Sequence, residues 1–485
     1  MYGRIFILTF LKKFFTVITL SAICFSLFFF SSCNSKKRHP SYRIDLVYSN
    51  GEICGKLGYK FVNSYNNVFN SLIFSLRANA YKEGANHPPV SPSNTVKAYP
   101  YGQSFGECQI YGVKVEGQTA DYEIFGDDGE FLKIYTGEIY ENQSKEVEIE
   151  FKTVIPKSIL RLGETDQTVN LGDFFPILCG IENGSFQTLT YHPFGDSLFS
   201  QVADYTVNLT LPSQFSVASS GSPTKTQITE HGTTYSYELN SGRDFAFVIS
   251  KNFEIRSVII EDLTVNYYSL GGDCEQKLSL AKDCLQFFTK TFGSIPYKSV
   301  SIAETPFING GMEYSGLCML SNCLSEEDFK YSLYHELAHQ WWYGGVGNNQ
   351  FSCAYIDEGL AEYSTYLYLL EKEGESVANT MIDNAKCAYK SFFDINSLLS
   401  GSANTTMNRT LSEFSSEYEY INIAYNKSLL AFYNYGVTVG KNKAVKNLKK
   451  LYKDNYLGEI GLGEIITALG HGEHFKSFVE GKVII

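Results

Sequence analysis

The chain has 485 residues, 44% of them hydrophobic, and a formal net charge of −12 at neutral pH. That length exceeds what one hydrophobic core usually holds, so at least two domains are expected, and the acidic balance gives no electrostatic reason to seek nucleic acid. Of the eleven cysteines, Cys24 falls in a leader and Cys33 follows it as a lipid-attachment residue; the remaining nine are an odd number, which argues against a fully paired disulfide framework and for mostly small buried thiols.

Residues 1–32 read as that leader. Arg4, Lys12 and Lys13 surround short apolar runs, an apolar stretch extends from Phe14 to Phe30, and Phe30-Ser31-Ser32-Cys33 sets small residues before a cysteine. The pattern resembles a bacterial lipoprotein signal, cleaved to leave an acylated Cys33. An uncleaved anchor is the alternative, because the run is nearly long enough to span a bilayer. Either reading puts the rest of the chain outside the cytoplasmic membrane on a polar tether, residues 33–44. Loss of the leader's three positive charges takes the net charge to about −15.

Residues 45–255 read as β-rich. Val147, Ile149 and Phe151 alternate with Glu146, Glu148 and Glu150, and Tyr205, Val207, Leu209 and Leu211 alternate with polar residues, so both are half-buried strands. Turn clusters at Gly126-Asp127-Asp128-Gly129 and Ser219-Ser220-Gly221-Ser222-Pro223 cut the region into short strands, as in an all-β sandwich or saddle-shaped sheet. His87-Pro88-Pro89-Val90-Ser91-Pro92 reads as an exposed loop.

From residue 256 to 485 the period lengthens to that of helices, at Lys277 to Phe292 and after Tyr418 and Lys441. Another helix begins at Ser325, a capping residue with Glu326, Glu327 and Asp328 in its first turn, and closes at Gly344-Gly345. It carries His335-Glu336-Leu337-Ala338-His339, and after eighteen intervening residues comes Glu358, in Asp357-Glu358-Gly359-Leu360-Ala361-Glu362. Residues four apart on a helix share a face, so His335 and His339 can point at one metal ion. With Glu358 they make the three protein ligands of a catalytic zinc that keeps one position open. Glu336, turned about 100° from His335 around the axis, is placed to take a proton from the attacking water. Glu362, four residues after Glu358, can receive the free N–H of a ligand histidine or be a solvated helix charge.

With these residues the chain resembles the aminopeptidase N family of gluzincin zinc metallopeptidases. Gly310-Gly311-Met312-Glu313-Tyr314 stands where that family carries Gly-x-Met-Glu-Asn, and Tyr425-Asn426-Lys427-Ser428 is similar to its Tyr-x-Lys-Gly. The resemblance implies that Glu313 pairs with the free α-amino group of a peptide, that Gly310, Gly311 and Met312 line its groove, and that Tyr425 hydrogen-bonds the developing oxyanion. Tyr314 replaces the usual Asn, so that residue's contacts do not carry over; Ser428 replaces Gly, and Tyr420 is a neighbouring candidate for the oxyanion role. Phe174-Phe175-Pro176, Asp204-Tyr205-x-Val207 and Arg243-Asp244-Phe245 resemble the family's amino-terminal β domain, while its Pro-Cys-x-Asp segment is not found.

The expected architecture is therefore multidomain: an all-β sandwich or saddle domain followed by a thermolysin-like α+β catalytic domain. Large family members continue into a helical superdomain; here the chain stops at Ile485, and a more open groove is expected. The implied function is a one-zinc aminopeptidase acting on peptide substrates. The alternatives are a zinc endopeptidase with an open groove and a zinc-containing peptide-binding lipoprotein of low turnover.

Overall fold

The computed structural model describes residues 40–230, 232–470 and 472–482. The leader and Cys33 lie outside the described residues. The first strand, Ser41–Ser49, starts four residues earlier than expected, inside the segment assigned to a tether. Tyr42, Ile44, Leu46 and Tyr48 bury their side chains while Arg43, Asp45 and Val47 face out, so the period-two pattern, and with it the fold, already governs residues 41–44.

That strand pairs antiparallel with Glu52–Val62 and parallel with Ala203–Leu211, the centre of an eight-stranded sheet. The two strands legible by alternation are both in it: Val147, Ile149 and Phe151 in Ser144–Val154, and Tyr205, Val207, Leu209 and Leu211 in Ala203–Leu211, all turn inward. Two four-stranded sheets supply the facing layers, so the strand-rich region buries one side of each sheet against another. The loop around His87–Pro92 is not simply exposed: Val90 and Ser91 are buried, and Asn94 Nδ2 donates to Glu417 Oε2 of the helical region at 2.8 Å. A run rich in proline reads as surface when nothing in the sequence shows what it packs against.

Beyond Ser250 the chain enters a five-stranded mixed sheet in the order Glu254–Ile260, Leu263–Ser269, Ser299–Thr305, Leu317–Ser321, Gly311–Tyr314. Helices follow, including Cys274–Phe292, capped by Asp273, and Glu326–Ala338, capped by Ser325 as its sequence predicts. The latter ends at Ala338, earlier than Gly344-Gly345, because Trp341 and Trp342 turn into the core and hydrogen-bond Gly293 O (2.7 Å) and Ser364 Oγ (2.9 Å). A 26-residue helix, Glu375–Ser400, escaped the sequence reading although Ala378, Ile382, Ala385, Tyr389 and Phe392 form its buried stripe. The nine described cysteines are all free, and five are buried. Among the described residues no helix is long and apolar enough to cross a membrane.

Arg243 and Asp244 fasten the two regions. Arg243 Nε donates to Tyr343 O at 2.7 Å, and Asp244 accepts from Ser315 N at 2.8 Å and from the Tyr343 hydroxyl. Burial pushes the Asp244 carboxyl up to about 7, against the pull of the Tyr343 and Ser315 hydrogen bonds. The folded state thus holds this proton more tightly than the unfolded chain, whose Asp titrates near about 4. Asp244 therefore contributes stability that is full below pH about 4 and lost as pH rises through about 7. Asp244→Asn, which cannot ionise, is expected to gain on the parent by about 1–3 kcal/mol between pH 5 and pH 8 in denaturant unfolding. Parallel stability profiles for the two proteins would refute the assignment.

Candidate active site

The site forms where the helix Glu326–Ala338 and the first turn of Tyr355–Lys372 meet the edge strand Gly311–Tyr314. His335 lies in the last turn of its helix, and His339 is the residue that ends it, still in helical backbone geometry (φ −63°, ψ −16°), so the i, i+4 relation survives. Their Nε2 atoms are 3.0 Å apart, and Glu358 Oε2 sits 3.1 Å from one and 3.4 Å from the other. All three side chains are buried.

The outward ring nitrogens are already engaged. His335 Nδ1 is 3.1 Å from Glu362 Oε1, which also accepts from the Tyr331 hydroxyl, and His339 Nδ1 is 3.0 Å from Trp342 O. With Trp342 O accepting the His339 Nδ1 proton and the Glu362 carboxylate standing against His335 Nδ1, each imidazole is set to turn its Nε2 inward. Glu362 is thus a support for a ligand histidine rather than a solvated charge. Against the penalty of burial, the neighbouring His335 and His339 imidazoles hold Glu358 far below the usual carboxylate range, and the carboxylates raise both imidazoles, His339 to about 10. Two imidazole nitrogens and one carboxylate oxygen converging on a point that favours positive charge are the donor set of a catalytic zinc.

Glu336 stands beside this cluster without joining it. Its Oε2 is buried with no hydrogen-bond partner among the described residues. Burial first, then the Glu313 carboxylate, push its carboxyl up to about 8, within reach of proton exchange near neutrality. A Cβ on Gly311 would run into the Glu336 side chain, which is why glycine stands there in the strand.

The same cleft, about 410 Å³, brings in Gly310, Gly311, Met312, Glu313 and Tyr425, all anticipated from the sequence. A carboxylate oxygen of Glu313 lies within 4.8 Å of a ring nitrogen of His339. Tyr314, in contrast, turns its buried ring away toward Gly172 and keeps only its backbone carbonyl near the site, accepting from Gln340 Nε2 at 3.2 Å. Tyr425 sits in a π-helical segment, Ile421–Lys427; its hydroxyl donates to Glu358 Oε1 at 2.6 Å and its ring stacks on His335 at 5.9 Å. Tyr420 also lines the cleft, 5.8 Å ring to ring from Tyr425. The sequence reading missed the opposite wall, where Pro89, Val90 and Asn94 and the Arg161–Asp196 ion pair (2.8 Å) come from the strand-rich region. No local motif marks these residues; only the fold brings them to the cleft.

Residues 276–480 match the Peptidase family M1 domain. No curated protein sequence matches the chain. Among solved structures, the chain is similar to the M1 zinc metallopeptidase of Deinococcus radiodurans (TM-score 0.62, 14% identity, 93% of this chain and 96% of that one). It is equally similar to a variant of that protein bound to a Tyr-Ser-Ala substrate (0.63, 14%, the same coverage) and to a two-domain M1 zinc metallopeptidase variant bound to L-tryptophan (0.63, 15%, the same coverage). At such identities these structures speak for the fold, a mostly-sheet amino-terminal region followed by a helical peptidase domain. The two-histidine, one-glutamate cluster lies in the matched segment, so residues 276–480 form a Peptidase family M1 domain with a candidate zinc site.

Proposed function

We propose that this enzyme is an aminopeptidase, removing amino-terminal residues from peptides. The observation that carries the reading is the place of Glu313: a buried carboxylate in the cleft wall, on the edge strand, within 4.8 Å of a metal-ligand histidine. A fixed negative charge at that separation favours a protonated amine about one residue from the scissile carbonyl. The Tyr-Ser-Ala substrate named for the Deinococcus structure is in keeping with a free-amine peptide in such a cleft.

His335, His339 and Glu358 would hold the zinc, which when bound would lower the pKa of the attacking water and polarise the scissile carbonyl. Glu336 takes the proton from that water and hands it to the leaving amine, its buried Oε2 being free to do so. Tyr425 presents a neutral O–H at the rim of the cluster, where negative charge grows on the substrate oxygen. Glu362 and Trp342 keep the two imidazoles turned inward.

A peptide and its amino-acetylated twin, compared by kcat/KM, test the assignment. The parent is expected to prefer the free amine by about 10- to 100-fold, the strength of one charge-assisted hydrogen bond, and Glu313→Gln to lose most of that preference. Equal cleavage of both peptides by the parent would replace the exopeptidase reading with an endopeptidase acting through the same zinc site.

A further inference from the structure

Glu313 is held from behind. Its Oε1 accepts from Gln350 Nε2 at 3.0 Å; the same amide nitrogen donates to Asp357 Oδ2 at 2.7 Å, and Asp357 Oδ1 accepts from Asn348 Nδ2 at 2.8 Å. Gln350 is 2% exposed and Asp357 1%. The surroundings dictate the amide's orientation: its two N–H bonds point at two carboxylates, whereas a flipped amide would turn its carbonyl oxygen against both. Gln350 opens the short helix Gln350–Cys353, capped by Asn349, and Asp357 lies in the first turn of the helix that carries Glu358. The row of bonds therefore ties Glu313 to the element that supplies the third metal ligand.

Gln350 is not among the residues lining the cleft, so it acts on a substrate only through Glu313. With Oε1 held by the amide, the Glu313 carboxylate has its rotation stopped and can offer Oε2 to an incoming donor. Without the amide, Glu313 and Asp357 would lose their shared donor and the Glu313 carboxylate would be free to turn. We propose that Gln350 is a positioning residue that aims Glu313 and thereby sets the enzyme's selection for peptides with a free α-amine. The proposal rests on the reading of Glu313 as the amine anchor.

Inhibition of the full-length zinc enzyme by leucine hydroxamate and by its des-amino analogue, 4-methylpentanohydroxamic acid, separates amine recognition from metal binding and from turnover. Gln350→Met, of similar length but with no donor, is expected to shrink the ratio of the two Ki values about tenfold while the des-amino Ki stays within about twofold and zinc content is unchanged. Gln350→Glu, isosteric but with an acceptor in place of the donor, is expected to do the same, which covers a failure of the first variant to fold. Glu313→Gln is measured alongside. If it leaves the ratio untouched, the amine-anchor reading itself falls; if it collapses the ratio while both Gln350 variants preserve it, only the positioning role of Gln350 is overturned. Loss of zinc, or equal weakening of both inhibitors in the Gln350 variants, would also overturn it by showing a general structural part.

Discussion

Glu336→Gln is expected to keep its zinc and lose turnover by about 10²- to 10⁴-fold, the range that a positioned general base contributes. The substitution preserves the shape that the bare backbone of Gly311 accommodates, and it leaves His335, His339 and Glu358 untouched. What disappears is the ability to accept a proton at an oxygen that is buried and without a hydrogen-bond partner among the described residues. The check is kcat/KM on an aminoacyl-anilide together with metal analysis of both proteins. Retained activity within tenfold of the parent, at equal metal content, would remove Glu336 from the role of base. Loss of zinc in the variant would mean instead that this carboxylate belongs to the ligand set.

Tyr425→Phe is expected to lower kcat by about 10²- to 10³-fold with KM little changed, the signature of a donor whose bond strengthens only as charge develops on the substrate oxygen. The hydroxyl donates to Glu358 Oε1, so it already stands at the residues that would hold the zinc. Because that same bond touches a metal ligand, zinc content must be measured with the rates. Tyr420→Phe is the control, expected to stay within about threefold, since the hydrogen bond to Glu358 comes from Tyr425. An effect on KM alone in Tyr425→Phe would recast the residue as a ground-state contact, and a larger effect at Tyr420 would exchange the two roles.

The chemistry was more legible in the sequence than the scaffold was. His335, Glu336, His339 and Glu358 are separated by distances that helix geometry converts directly into a shared face, so spacing alone brought them together. Ser325 with its acidic first turn announced the helix that carries them, because capping is a local transaction between a side chain and nearby backbone. Strands could be read in the same way only where one face is wet: Ile149 and Val207 sit in alternating runs, while Ser299–Thr305, buried along its whole length, offers no alternation. The far wall of the cleft, and the Gln350 that backs Glu313, depend on contacts between segments far apart in the chain, such as Asn94 with Glu417. No pattern within a window of a dozen residues contains that information. Tyr425 was reached through a motif rather than through periodicity, and periodicity would have misplaced it.

The reason lies in the phase of its helix. In an α-helix, residues five apart are separated by about 140° around the axis and cannot both look into one cleft. Tyr420 and Tyr425 do, because the segment Ile421–Lys427 is wound as a π-helix, whose wider turn brings the fifth residue back over the first. The site therefore stores one of its functional groups in the length of a turn and not only in the identity of a side chain. Rewinding that segment as an α-helix, with every residue retained, would put Tyr425 about 140° from Tyr420 and swing its hydroxyl off the cleft, a lesion invisible to any inventory of catalytic residues.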